Sequence, residues 1–202
     1  VLGWNDGTEQ EIFSLEEMIE KFSIDRVHKG GAKFDFEKAK WYNHEWIKKS
    51  PVSNFSSLVK DFFASKNIII QDEAYFNKVL ELVKERCTLI PDFYDQASFF
   101  FNAPLNWDSE AVKPKWNEAK AEFFNDYSNK LQAMPGWELT TIESTFKELA
   151  TEKNIKPGEL QLPMRIMLVG GKFGPAVFET AAIIGKEETI ARIKKALTIF
   201  NQ

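Results

Sequence analysis

The sequence places one arginine inside an apolar run, directly before a glycine-rich loop. Arg165 lies between Met164 and Ile166, and the loop Gly170-Gly171-Lys172-Phe173-Gly174-Pro175 follows. An unpaired buried arginine is costly, so we expect Arg165 to reach solvent, pair with a carboxylate or meet a ligand. The loop leads into a predicted helix start at Pro175, where free backbone N–H groups could meet a phosphate or a base edge. By residue type alone, an ordinary connection between two helices explains the loop equally well.

A second arginine stands at the end of a predicted helix. Arg86 closes residues 71–86, where apolar residues recur at helical spacing. A cation is favoured at that end by the helix dipole, which explains Arg86 without any ligand. The planar guanidinium also suits a second role, because its fork can donate two hydrogen bonds to a flat acceptor edge and can stack on a ring.

The residue types that usually perform catalysis are sparse. His28, His44 and Cys87 do not have the spacing of a zinc site. No nucleophile elbow occurs, and Gly170-Gly171-Lys172 lacks both the upstream glycine and the following Ser or Thr of a phosphate-binding loop. The single cysteine excludes an internal disulfide and fits a reducing compartment. We therefore predict binding chemistry, with no catalytic residue and no metal ligand.

Composition predicts a folded protein with an uneven charge distribution. Of 202 residues, 44% are hydrophobic and 28% charged, and no apolar run is long enough to span a membrane. The net charge is −4, yet residues 151–202 contain eight Lys or Arg and five Glu. This basic end could face RNA, but charge alone favours a solvated helical tail. Because Leu2-Gly3-Trp4 has the pattern of mid-helix sequence, we expect the chain to begin inside a longer polypeptide.

Helix signals recur along the whole chain. A capping box from Ser14 to Glu17 predicts a helix over 15–22. Asp35 should cap a second helix that ends at Ser50-Pro51 and places Phe36, Ala39, Trp46 and Ile47 on one face. Further helices are predicted over 54–64, 71–86, 91–101, 114–131, from Thr140 with a capping box to Glu143, near Glu159, over 175–185 and at the C-terminus. Residues 162–169 fit a helix or a strand, and 68–71 is the only other strand-like piece.

Two segments in a fixed order carry a family resemblance. The first contains Leu2-Gly3-Trp4, Gly31-Ala32-Lys33-Phe34-Asp35, Lys38-Ala39-Lys40-Trp41 and Asn43; the second is Leu162–Leu197. Together they resemble the C-terminal part of a bacterial glutamyl-tRNA synthetase. The resemblance is strongest over 1–50 and 160–198 and weakest over 105–155.

The resemblance implies a mainly α fold in three parts. A helical stem-contact region over 1–50 would precede two helical anticodon-binding subdomains, an α-helix cage, over 51–106 and 107–202. In that family the stem-contact fold docks along the inner side of the tRNA. We expect Trp41 and Trp46 to belong to its core rather than to stack on bases.

The resemblance also implies a partner and the residues that contact it. The partner is tRNA(Glu), whose anticodon ends in C with U at its centre; whether tRNA(Gln) is also charged is left open. Arg86 matches an arginine that reads the last anticodon base, and Arg165 matches a tRNA-contacting arginine before the loop. Splayed loop bases are typically stacked on side chains and hydrogen-bonded on their edges. The further implied contacts are Lys172, Gly174, Pro175 and Val177.

The same resemblance implies that the catalytic residues lie outside this chain. The His-x-Gly-His and Lys-Met-Ser-Lys-Ser signatures of class I synthetases are absent from this sequence. ATP and Mg would therefore serve the full-length enzyme, and this chain alone should be inactive, with no cofactor of its own. A cytoplasmic monomer is expected. The alternative is a helical protein-interaction module without RNA binding, which the acidic first 150 residues fit better.

Overall fold

The computed structural model describes residues 3–28, 30–31 and 33–202. Within them every regular element is a helix, which confirms the mainly α prediction. Helix α1, Leu15–Lys21, begins with the predicted capping box: the Glu17 N–H donates to Ser14 Oγ at 3.2 Å, and the Ser14 N–H donates to Glu17 Oε2 at 2.7 Å. The mid-helix prediction for Leu2-Gly3-Trp4 is wrong at Gly3 and Trp4, which lie outside helices, while Leu2 lies outside the described residues.

Helix α2, Phe36–Lys49, is capped as predicted, because the Asp35 side chain accepts from two backbone N–H groups of the first turn. The prediction that Trp41 and Trp46 belong to a core is wrong. Trp41 and Trp46 are 44% and 47% exposed, and Ile47 is the buried residue of the helix. The helix packs along a single narrow stripe, so only one of its large apolar side chains is covered.

The next three helices share an aromatic core. They are α3, Ser56–Ser65, α4, Glu73–Val83, and α5, Ile90–Ala97; 3₁₀ turns at Lys84–Arg86 and Ser98–Phe100 follow α4 and α5. Phe63 is fully buried and meets Phe76 and Phe101 edge to face. The strand-like run 68–71 forms no regular element, and Ile69 is 71% exposed. Within the described residues it has no partner strand.

The region after the linker, residues 102–106, begins differently from the prediction. Helix α6 is Ser109–Val112, and Pro114 lies in a 3₁₀ turn, Lys113–Lys115, rather than opening the long helix. Helix α7, Glu118–Ala133, starts after Asn117, whose Oδ1 accepts from the Lys120 N–H at 3.0 Å. An asparagine cap supplies the acceptor that proline cannot.

Helix α8, Leu139–Glu152, starts one residue before Thr140, so the second predicted capping box is wrong. Glu138 occupies the cap position without a side-chain hydrogen bond. The stripe predicted to be buried is present: Ile142, Phe146 and Leu149 are at most 2% exposed.

Three helices complete the chain: α9, Pro157–Val169, α10, Val177–Ile184, and α11, Lys186–Phe200. The ambiguous run 162–169 is helical, and α9 ends at Gly170 in the left-handed conformation with φ +84°. Pro175 precedes α10 by two positions instead of opening it. One hydrophobic core runs from Ile47 to Leu197, so the boundaries at residues 50 and 106 stay predictions.

Candidate nucleic-acid interface

Arg165 meets backbone carbonyls. It lies on α9, half-buried, and its Nη1 donates to the carbonyl oxygens of Phe173 at 3.2 Å, Gly174 at 2.9 Å and Pro175 at 2.5 Å. Of the three alternatives expected for Arg165, pairing with a carboxylate is not seen among the described residues, where its partners are carbonyl oxygens. One nitrogen therefore ties α9 to the loop, while Nε and Nη2 make no hydrogen bond within the described part of the chain and keep their donors available.

Arg86 lies near enough to Arg165 in the folded protein for its charge to act on that guanidinium. It ends the 3₁₀ turn Lys84–Arg86 and is exposed, with no ion pair to any residue that the structure describes. Burial lowers the pKa of the Arg165 guanidinium, and the positive charge of Arg86 lowers it further. Arg165 stays charged at neutral pH because a guanidinium titrates far above 7. The fold thus brings together the two arginines that the sequence singled out separately.

Two like charges repel when they are held close together, and a neighbouring carboxylate would offset that repulsion. Here neither guanidinium forms an ion pair with a carboxylate among the described residues, whereas Lys153 of the same chain pairs with both Glu122 and Asp126. A pair of unneutralised, planar cations suits a polyanion that also presents flat hydrogen-bonding edges. Their arrangement therefore favours a nucleic-acid ligand over an acidic protein patch.

The loop after α9 is shaped by close backbone contacts. A Cβ on Gly170 would lie 2.7 Å from the Asn106 carbonyl oxygen and 2.9 Å from Pro104 Cβ, so only glycine fits. The Gly170 carbonyl also accepts from the Asp108 N–H at 2.9 Å. The linker before α6 therefore packs against the end of α9 and fixes where the loop begins.

The other predicted contacts differ in accessibility. Lys172 is exposed, and its Nζ lies 3.7 Å from Asp108 Oδ2. Gly174 and Pro175 are buried, and Val177 is only 4% exposed. Gly174 has φ +94° and faces Phe99, where a Cβ would come within 3.3 Å of the ring. In this structure these three buried residues shape the loop, and their contact with a base stays a prediction.

An exposed aromatic in the same loop was not among the predicted contacts. Phe173 is 45% exposed, and its ring centroid lies 5.9 Å from that of Phe99.

Sequence reasoning also missed Asp92, whose carboxylate accepts from the Thr88 N–H at 2.7 Å and the Leu89 N–H at 2.8 Å. The position of Asp92 in the first turn of α5 was the available signal, since acidic residues there often accept backbone N–H groups.

The glycine-rich loop does not fit a nucleotide triphosphate. Its first glycine is covered by the linker backbone, and its lysine faces the Asp108 carboxylate rather than an open cradle. The described residues contain no group of three or more His, Cys, Asp or Glu that could hold a metal ion. In the same part of the chain, no helix combines the length and apolar character needed to cross a bilayer.

Comparison with known proteins identifies the class. Residues 54–197 match the model of an anticodon binding domain, and this chain belongs to that family. The matched range includes both arginines and the loop. All the helices from α3 to α10 lie within it, so the site and the family assignment rest on the same part of the fold.

Three similar proteins are glutamate–tRNA ligases. The chain is 42% identical to a glutamate–tRNA ligase of Flavobacterium psychrophilum and 39% identical to one of Flavobacterium johnsoniae, in each case over 98% of this chain and 39% of the relative. A crystal structure of a glutamate tRNA ligase from Elizabethkingia meningosepticum is 34% identical, with a TM-score of 0.88 over 98% of this chain and 39% of that one.

The chain thus spans about two fifths of the curated relatives it matches, in their C-terminal part. The suspected resemblance to the C-terminal region of these synthetases is confirmed. As expected, these 202 residues do not include the catalytic domain of those ligases. The comparisons give no support to the protein-interaction module.

Proposed function

We propose that this chain binds tRNA(Glu), through its anticodon loop and stem, as the recognition part of a glutamate–tRNA ligase. The observation that carries the proposal is that Arg86 and Arg165 lie near enough for their charges to interact, while neither forms an ion pair among the described residues. The whole enzyme would use ATP and Mg to attach glutamate, in the cytoplasm and as a monomer. None of that chemistry is assigned to these residues.

Each arginine has a distinct role in this proposal. Arg86 is exposed at the end of its turn, so its guanidinium can reach the edge of the last anticodon base and donate to O2 and N3 of cytosine. Arg165 is anchored by three loop carbonyls, so its remaining donors meet the neighbouring base or phosphate. Lys172, the loop residues Gly174 and Pro175, and Val177 at the start of α10 border the same ligand.

Binding of short RNA hairpins tests the proposal. The probe is an anticodon stem–loop of tRNA(Glu), labelled at one end and titrated with the 202-residue chain while fluorescence anisotropy is recorded. We expect saturable binding that weakens as salt rises, because phosphate contacts release counterions. Hairpins that differ only in the last anticodon base should bind about tenfold more weakly or worse.

The matched control is the same hairpin with a scrambled loop and an intact stem. Equal affinity for both loops would mean that the chain binds RNA through charge alone. Absence of saturable binding to the cognate hairpin would refute the proposed function.

A further inference from the structure

The backbone just after Arg86 is held by helix α2. His44 Nδ1 lies 2.9 Å from the Cys87 carbonyl oxygen, and Asn43 Nδ2 donates to the Thr88 carbonyl oxygen. A carbonyl oxygen can only accept, so the Nδ1 of His44 carries the proton in this contact. Two adjacent residues of α2 therefore donate to the carbonyl oxygens of residues 87 and 88, the segment that follows Arg86 (the Arg86 segment).

The same segment is held from the other side by its own N–H groups. The Cys87 N–H donates to the Lys84 carbonyl at 3.1 Å, and the Thr88 N–H donates to the Asp92 carboxylate at 2.7 Å. Both backbone groups of residues 87 and 88 are thereby hydrogen-bonded. The Arg86 side chain is exposed, but the main chain from which it extends is fixed on two sides.

A guanidinium reads a base edge only when two donors meet two acceptors at once, which requires placement to within about 0.5 Å. Arginine has a long, flexible side chain, so the position of its backbone limits where the fork can reach. The contacts from α2 act on that backbone, through the carbonyl oxygens of Cys87 and Thr88.

We propose that Asn43 and His44 are positioning residues, which set the backbone of residues 87 and 88 so that Arg86 meets the last anticodon base. The proposal rests on the proposed function and adds to it a role for α2. It assigns specificity to a helix outside the range that matches the anticodon-binding model, 54–197.

The test compares hairpins that differ only in the last anticodon base, with the Asn43→Ala/His44→Ala double variant of the full chain. We expect its preference for C to fall about tenfold, as for the loss of a bidentate base contact. Its affinity for hairpins with another last base should change little, by less than about threefold, because phosphate contacts supply most of that binding. In an Arg86→Ala background the two substitutions should remove no further preference.

Two further variants separate positioning from general stability. His44→Asn places an amide donor near the Nδ1 position and should keep the wild-type preference. Tyr42→Phe removes a hydrogen bond to Glu11 from the neighbouring position of the same helix and should also keep it. If the double variant does not fold, the single variants Asn43→Ala and His44→Ala replace it.

Three outcomes decide the matter. A double variant, or both single variants, with the wild-type preference for C, while Arg86→Ala loses it, overturns the positioning role and leaves the proposed function intact. An equal loss of affinity for every hairpin also overturns it, because that result shows only a structural role. A wild-type chain without preference for C overturns the proposed function, and the positioning role fails with it.

Discussion

Arg192 Nη1 donates to the backbone carbonyl of Leu168 at 2.6 Å, although the arginine side chain is only 3% exposed. Leu168 lies in the last turn of α9, where carbonyls have no partner inside the helix. The Nε of Arg192 also pairs with Glu188 at 2.7 Å. Helix α11 therefore caps α9, the helix that carries Arg165, with a buried cation.

Replacing Arg192 with alanine should destabilise the fold. The Leu168 carbonyl would be left buried without its donor, and a cavity would form, so we expect a loss of about 2–4 kcal/mol in the free energy of unfolding. Urea denaturation followed by circular dichroism measures it. Lys194→Ala, on an exposed position of the same helix, is the control and should stay within about 0.5 kcal/mol of wild type. Equal midpoints for both variants would contradict the capping role.

Two glycines of α9 and its end should respond in opposite ways to alanine. Gly170→Ala forces a left-handed backbone on alanine and brings Cβ against Asn106 and Pro104, so we expect a loss of about 2 kcal/mol or more. Gly158→Ala meets nothing within 4 Å in the first turn of the helix and should be neutral or stabilising by up to about 1 kcal/mol. Thermal unfolding of the two variants gives the comparison; a tolerated Gly170→Ala would show that the linker contact is loose.

Replacing each of the two arginines with alanine should affect RNA binding in a different way. Arg86→Ala should reduce the preference for C at the last anticodon base by roughly 1–3 kcal/mol, because a bidentate base contact is lost. Arg165→Ala should weaken all hairpins about equally, because the loop loses its anchor to α9. Hairpin titrations measure both effects, with Lys78→Ala as an exposed, charge-matched control. If a folded Arg86→Ala variant keeps the wild-type preference, Arg86 is only a helix-terminal cation.

The thiol of Cys87 should be inert in the folded chain. Burial raises its pKa from 9.0 to about 12, and the charge of Asp92 adds to the effect. We expect very slow reaction with a disulfide reagent at pH 8 and prompt reaction in urea, since the thiolate is the nucleophile. Rapid modification of the folded protein would show that the Arg86 segment opens readily.

The burial of the Cys87 thiol also predicts a loss of folding stability at alkaline pH. Its folded pKa lies above the unfolded value, so the unfolded state ionises first as pH rises. The contribution is fully present below pH 9 and is lost between 9 and about 12. Cys87→Ala should therefore lose less stability over this range than wild type, in urea titrations at matched pH. Parallel pH profiles for the two proteins would contradict the buried, neutral thiol.

The helical class and several helix starts follow from the amino-acid sequence. The capping box at Ser14 and the cap at Asp35 depend on contacts within a few residues, and both are present in the structure. Where several local signals compete, the sequence misled: Pro114 suited a helix start, but Asn117 provides the cap. Local hydrogen bonding is encoded in neighbouring residues, which is why these features can be read without a fold.

Which side chains are buried, and which residues distant in sequence come close together, depends on tertiary packing. Helical spacing gave Trp46 and Ile47 the same face, but α2 has too small a contact to bury both, and Trp46 remains half exposed. Spacing likewise could not show that Val177 is buried or that Arg86 lies near Arg165. Exposure and proximity across helices depend on how distant segments pack, and no local pattern of residues contains that information.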